Sequence, residues 1–247
     1  PFAKNIANYL ATDHSEYYCN KEDVRQMTEM MPYHYDEPFG DSSCIPTMLI
    51  SKFAVKDVKV ALSADAGDEV FSGYNYHSGI VELNKYIEQS PKILNSLIAN
   101  IMEWIKAEKI PFLNSTYNFK TRFERLQLLL KDSNYLNYLK TYNLQFTDKD
   151  LKKLLKTDLP ASKITLFDSE LTQECKDLLS QVLATDYSTF LVDDVLVKVD
   201  RATMSFGLEG REPLLDHRLI EWVSRLPNEL KIKKIKDKKY LLKKITN

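Results

Sequence analysis

The chain has 247 residues, of which 28% are charged and 44% hydrophobic, and its formal net charge is −1. That length allows one large domain or two small ones with a sizeable core. The even charge balance leaves no global electrostatic case for nucleic acid or an anionic membrane. The three cysteines, Cys19, Cys44 and Cys175, are scattered and form no C-x-x-C, which argues against a disulfide scaffold or a zinc site and fits a reducing compartment. No apolar run approaches the roughly 18 residues of a spanning helix and no signal peptide opens the chain, so a cytoplasmic protein with no membrane partner is expected.

In chain order, Phe2 to Leu10 carries apolar residues at helical spacing, with Ile6 and Leu10 four apart. His14 to Asn20 predicts a short strand, and Lys21-Glu22-Asp23 opens a second helix. Pro32, Pro38 and Pro46 punctuate a loop, after which Thr47 to Val55 returns to helical spacing. Val58 to Tyr74 reads V-K-V-A-L-S-A-D-A-G-D-E-V-F-S-G-Y: a β-branched run, a tight loop, then the first turns of a helix. From Ile80 to about Phe146 long helices are expected, broken near Pro91 and Pro111. Leu126, Leu129 and Leu130 mark one apolar face there, and the tyrosines from Tyr135 to Tyr142 read as packing. Asp168 to Phe206 predicts one or two further helices and Asp216 to Leu226 another. The lysine-rich end, Lys231 to Lys244, reads as a solvated amphipathic helix because Ile232, Ile235, Leu241 and Leu242 alternate with the charges.

Helix dominates, with two expected strands, each preceding a helix. Two strands do not make a stable α/β sheet, so the remaining strands are expected upstream of this chain, whose two ends both read as cut.

The loop after Val58–Leu62 carries the most chemistry. A strand–loop–helix turn aims backbone N–H groups and a helix dipole at an anion. Asp65, Asp68 and Glu69 sit where a bare phosphate is repelled, and a bridging Mg²⁺ resolves that conflict. All six glycines lie in or beside segments 36–47, 60–79 and 198–216, which marks these as candidate sites. In the third segment Asp194, Lys198 and Arg201 share a helix face, either as a surface ion-pair ladder or as a functional group, with Asp200 and Glu209 close by in sequence. His14, His34, His77 and His217 show no ligand spacing and read as structural or surface residues.

Three stretches together resemble the synthetase domain of the glutamine-dependent asparagine synthetases. That family shows a loop like L-S-G-D-G-G-D-E-L-F-G-G-Y, here Leu62 to Tyr74. It shows D-x-L-x-K-x-D-R-x-x-M-x-x-x-L-E-x-R-x-P-x-L-D, here Asp194 to Asp216, and D-E-P-F-x-D-x-S-x-I-P-T, here Asp36 to Thr47. The resemblance implies part of a Rossmann-like, ATP-pyrophosphatase-type α/β/α domain, mostly helical, spanning residues 1–247. It implies an ATP-dependent ligase that adenylates the side-chain carboxylate of aspartate and transfers ammonia from glutamine. By the same analogy Asp68 helps hold Mg²⁺–pyrophosphate, Ser63 and the Ala64 backbone lie against the nucleotide and acyl-adenylate, and Asp65 is the acidic residue near the reacting carbonyl, a candidate base toward the incoming amine. Glu209 and Asp200 match acidic positions that face substrate in the related β-lactam synthetases. Asp41, Ser42 and Ser43 fall where the family recognises aspartate.

The departures are as informative. Ala64, Ala66 and Ser72 replace glycines of the family loop. The first-strand S-G-G-x-D-S loop, the later R-K-x-x-F segment and the N-terminal glutaminase domain are absent, so the chain alone is expected to be inactive. The missing glutaminase domain and a second copy of the chain in a homodimer are the macromolecular partners the resemblance suggests. Two alternatives stand beside the ligase: a non-catalytic or split-subunit descendant acting as an interaction module, and a related amidotransferase acting on another carboxylic acid.

Overall fold

The computed structural model of the chain describes residues 2–105, 107, 110, 119–131, 152–155, 174, 175, 177–233 and 237–246. These divide into two compact units, residues 1–65 with 193–213 and residues 66–192 with 214–247.

The first unit is built on helices and one parallel strand pair. Helix α1 (Phe2–Tyr9) is followed by an extended stretch and by α2 (Lys21–His34). Asn20 starts α2 through a reciprocal capping box: its side chain accepts from the Glu22 and Asp23 backbone N–H groups, and Asp23 accepts from the Asn20 N–H. Helix α3 (Cys44–Ala54) and α9 (Val197–Met204) pack against each other and α2 against α3. Their shared core is Met27, Tyr35, Cys44, Met48, Leu49 and Ala202. Strand β1 (Val60–Leu62) pairs in parallel with β2 (Glu209–Arg211), in the register Val60 to Glu209, Ala61 to Gly210 and Leu62 to Arg211. Gly207 turns the chain from α9 into β2 at φ 70, a left-handed conformation that glycine adopts without a Cβ penalty.

The second unit opens with the short helix α4 (Gly67–Phe71), then α5 (Asn75–Gln89), α6 (Lys92–Trp104), α7 (Phe119–Lys131) and α8 (Leu178–Ser188). Ile80, Ile87, Leu129 and Val182 form its core, joined by Leu83 and Leu130. A π-helical turn, Leu191–Leu196, continues the chain toward α9. After a 3₁₀ turn at Pro213–Leu215, α10 (His217–Ser224), α11 (Asn228–Lys231) and α12 (Tyr240–Thr246) complete the second unit. No helix among the described residues is long and apolar enough to cross a membrane.

The mostly helical α/β class holds, and the two paired strands fix a parallel ladder without defining a Rossmann-like strand order. Several local expectations do not hold. Residues 14–20 are not a strand: each is exposed and no strand among the described residues pairs with them. The second strand is instead Glu209–Arg211. Pro32 lies inside α2, in its last turn, where the N–H it lacks is one of the final bonds before the helix ends. Pro46 lies in the first turn of α3, where no intrahelical donor is needed, so that helix starts at Cys44 rather than Thr47. The helix after β1 stops at Phe71, before Tyr74. The lysine-rich end is two short helices rather than one solvated helix, and Lys231 is buried. Pro111, Phe146, Tyr135 to Tyr142, Asp168 and Ile235 lie outside the described residues.

Candidate functional site

The carboxyl ends of the β1–β2 pair gather the acidic residues of the first unit. The Ser63 N–H donates to the Arg211 carbonyl at 2.9 Å, continuing the ladder one residue past β1. The Ser63 hydroxyl then donates to Asp65 Oδ2 at 2.7 Å and accepts from the Asp65 N–H at 3.3 Å. This side-chain turn fixes the Asp65 carboxylate just beyond the strand end, with exposed Ala64 between the two polar residues.

On β2, Glu209 and Arg211 project to one face, as alternate strand residues do, and pair at 2.7 Å. Glu212 follows, half-buried. Burial pushes its carboxyl pKa up from the ordinary value, and the Asp65 charge, then the Asp200 charge, push it further. Ser63, Asp65, Glu212 and Asp200 thus share one electrostatic neighbourhood, whereas the exposed Glu209 is engaged with Arg211. Glu212 is the acid that the sequence reading missed. Its available signal was its place immediately before Pro213, which biases its backbone away from the helical region.

The Asp41–Ser43 segment is a polar cluster of the same unit. Asp41 accepts from the Ser43 N–H at 2.8 Å, the Ser43 hydroxyl at 2.7 Å and the Lys198 ammonium at 2.9 Å. Burial acts to raise the Asp41 pKa, but these three donors outweigh it and hold the carboxyl below its usual range. Ser42 is exposed. Arg201 pairs with Asp36. Of the two readings of Asp194, Lys198 and Arg201, the surface ladder is not formed among the described residues, because both cations reach across to the 36–41 segment instead. Asp194, half-buried beside this cluster, keeps one carboxylate oxygen without a hydrogen-bond partner among the described residues. Its pKa is raised by burial and then by the Asp41 charge, with Lys198 opposing both.

In the second unit Asp68 lies on α4 and pairs with Lys239 Nζ at 3.0 Å. Gly73 packs against both: a Cβ there would overlap the Asp68 carboxylate and the Lys239 side chain. Among the described residues no group of three or more His, Cys, Asp or Glu is placed to hold a metal. A single half-exposed carboxylate still suits Mg²⁺, which commonly takes one or two carboxylates and completes its shell from phosphates and water. Lys239 at present supplies the positive charge that Asp68 requires.

The two glycine replacements around α4 sit where glycine is most useful. Ala66 caps the start of α4 at φ 67 and Ser72 its end at φ 60, both left-handed, whereas Ala64 is not left-handed. Ser72 belongs to a sealed polar network. Its hydroxyl meets His77 Nδ1 at 3.2 Å, and His77 Nε2 meets Asp186 Oδ2 at 2.7 Å, an oxygen that also accepts from the Tyr76 hydroxyl. Ser72, His77 and Asp186 are each fully buried, so their serine–histidine–aspartate order is structural and not a nucleophile open to substrate. His77 accordingly has the structural role expected of it.

Comparison with known proteins places the chain in a family. The sequence model described as asparagine synthase matches residues 1–247. The chain is 27% identical over 246 residues to "Asparagine synthetase [glutamine-hydrolyzing] 1" of Bacillus subtilis (strain 168), covering 98% of the chain and 36% of that protein. It is 31% identical over 206 residues to "Putative asparagine synthetase [glutamine-hydrolyzing] 2" of Methanocaldococcus jannaschii, covering 83% and 37%. A putative asparagine synthetase [glutamine-hydrolyzing] of Mycobacterium bovis is 28% identical over 232 residues, covering 93% and 32%. No solved structure matches. The chain belongs to the asparagine synthase family, and it spans about a third of the length of these relatives.

Proposed function

We propose that this chain is part of the synthetase domain of an ATP-dependent, amide-forming ligase, with aspartate as the first candidate substrate and glutamine as the source of ammonia. In this reading a carboxylate oxygen of the substrate attacks the α-phosphorus of ATP and pyrophosphate leaves. Ammonia then attacks the acyl carbon, AMP departs, and one proton is given up to a base. The observation that carries the reading is the acid-lined end of the parallel pair, where Ser63 holds Asp65 and Glu212 lies beside it. Asp65 is assigned the base, with Glu212 tuning it, and Asp200 and Glu209 are assigned to the substrate side. Ser63 and the Ala64 backbone are assigned to the nucleotide, and Asp41, Ser42 and Ser43 to substrate recognition. Mg²⁺, when bound, neutralises phosphate charge, and Asp68 is the residue that would hold it. The S-G-G-x-D-S strand and the glutaminase domain are assigned to a longer protein of which residues 1–247 are one part.

One observation favours the non-catalytic reading: Asp68 is already paired with Lys239 beside strained Ala66. Aspartate-dependent exchange of labelled pyrophosphate into ATP by the full-length protein separates the two. Exchange that falls on Asp65→Asn supports the ligase. A folded protein showing no exchange with aspartate or other carboxylic acids would instead favour an interaction module, and exchange with a different acid would change the substrate alone.

A further inference from the structure

The second unit contains a cavity of about 570 Å³ whose wall includes Lys231 on α11 and residues of α4, α8 and α10. That size suits a small organic ligand. Most of the wall is apolar, with Val70, Leu183, Ile220 and Leu226 contributing. Charged residues also line it, and of the two cations, Arg225 and Lys231, Lys231 is the buried one, only 2% exposed. Among the described residues its ammonium has a single hydrogen bond, 3.5 Å long, to the Ser224 carbonyl, and no ion pair. A buried ammonium has three donors to satisfy and is costly without a counter-charge.

Among the described residues no carboxylate of this wall forms an ion pair with Lys231; burial pushes the Lys231 pKa down, and the Asp177 charge opposes that only in part. Asp177 caps α8: it accepts from the Ser180 N–H at 2.9 Å, the Ser180 hydroxyl at 2.7 Å and Asn228 Nδ2 at 2.7 Å. Glu69, also buried, accepts from the Tyr74 hydroxyl at 2.7 Å. Both anions are met by donors of the fold, and Lys231 lines the cavity with one long hydrogen bond among the described residues.

We propose that this cavity is a binding site for a small organic carboxylate with an apolar body, anchored by the Lys231 ammonium. A monoanion fits better than a phosphate, because three carboxylates, Glu69, Glu174 and Asp177, line the same space against Lys231 and Arg225, so a second negative charge meets repulsion. The aliphatic walls take the ligand's body. The site is independent of the ligase reading, since Asp65, Asp200 and Glu209 do not line it.

The test uses phenylacetate and its neutral counterpart phenylacetamide, titrated into the full chain by calorimetry. Phenylacetate is expected to bind about tenfold or more tightly than the amide, a difference of about 1.4 kcal/mol. Lys231→Met, which keeps the side-chain length and removes the charge, is expected to bring the two ligands to equal affinity. Ala184→Phe, which fills the cavity, is expected to abolish binding of both. Equal affinities in the wild-type chain overturn the proposal without any variant. Absence of binding, or discrimination that survives Lys231→Met, overturns it as well.

Discussion

Replacing Ala66 and Ser72 singly by glycine separates two contributions that act in opposite directions at the ends of α4. Both residues are left-handed, at φ 67 and φ 60, a conformation costing a non-glycine residue about 1–2 kcal/mol. Glycine relieves that strain but loses about 0.5–1 kcal/mol through the greater freedom of the unfolded chain. Ala66 is buried, so Ala66→Gly also forfeits about 0.8 kcal/mol for one methyl group. These contributions nearly cancel, and Ala66→Gly is expected to leave stability within about 0.5 kcal/mol of wild type. Ser72→Gly is different, because its hydroxyl meets buried His77 Nδ1 at 3.2 Å. Leaving that nitrogen without a partner costs about 1–3 kcal/mol, so Ser72→Gly is expected to be destabilising by about 1–2 kcal/mol. Ser72→Ala keeps the left-handed strain while losing the same bond, and should be the least stable of the three. Urea unfolding followed by near-ultraviolet circular dichroism reads the order directly. A Ser72→Gly protein as stable as wild type, or no more stable than Ser72→Ala, refutes the reasoning.

Gly73→Ala is expected to cost about 1–3 kcal/mol, because the new methyl displaces Asp68 and Lys239; thermal unfolding checks it. Lys198→Met should cost about 1–3 kcal/mol by leaving the Asp41 carboxylate, 25% exposed, without its cation, and Asp194→Asn in the same background should recover part of that loss on urea denaturation. For Glu212 the folded pKa lies above its unfolded value of 4.5, so the folded state holds the proton more tightly and stability falls as pH rises through that window. Glu212→Gln should therefore gain stability relative to wild type at about pH 7 and lose the gain at about pH 4, measured by urea midpoints at both values. Asp41 acts with the opposite sign: its pKa is lowered, so its contribution is full above the unfolded value of 3.8 and is lost as pH falls through the folded one, and Asp41→Asn should flatten the acid limb of the same curve.

What the sequence revealed was local chemistry with short reach. Lys21-Glu22-Asp23 was legible as the opening of α2 and Asp216 as the start of α10, which it caps by accepting from the Arg218 N–H at 2.9 Å. Val60–Leu62 was legible as a strand from its β-branched run, and Ser63 and Asp65 as the loop beyond it. Glu209–Arg211 was not, since a glycine between two charges has no strand pattern. Only its pairing with β1 makes it one. The partners of Lys198 and Arg201 were equally hidden, because helix spacing identifies neighbours on one helix and says nothing of Asp41 and Asp36, more than 150 positions earlier in the chain. Lys231 looked like one charge among many in a basic run, and its burial depends on how α11 packs. Segment 14–20 shows the converse error: a stretch expected as a strand, with no partner strand among the described residues, is an exposed connection.

The glycine replacements weigh differently once the backbone is known. Ala64 has no left-handed backbone to strain, so a methyl there costs no conformational energy and acts only through the space it takes. Ala66 and Ser72 do occupy left-handed positions, yet each side chain returns something, a buried methyl in one and a hydrogen bond to His77 in the other. Strain in the loop is thus compensated locally and gives little reason by itself to discard the ligase reading. The sharper question is the Asp68–Lys239 pair. If Asp68 serves a metal and pyrophosphate, Lys239 must exchange one anion for another as ligand enters, and Lys239→Met should weaken pyrophosphate exchange while leaving the fold intact. If the pair is only a tie between α4 and the chain ahead of α12, the same substitution should lower the melting temperature, with no exchange activity to lose. One variant, read by both unfolding and exchange, therefore distinguishes a residue that hands its partner over to substrate from one that ties α4 to the chain ahead of α12.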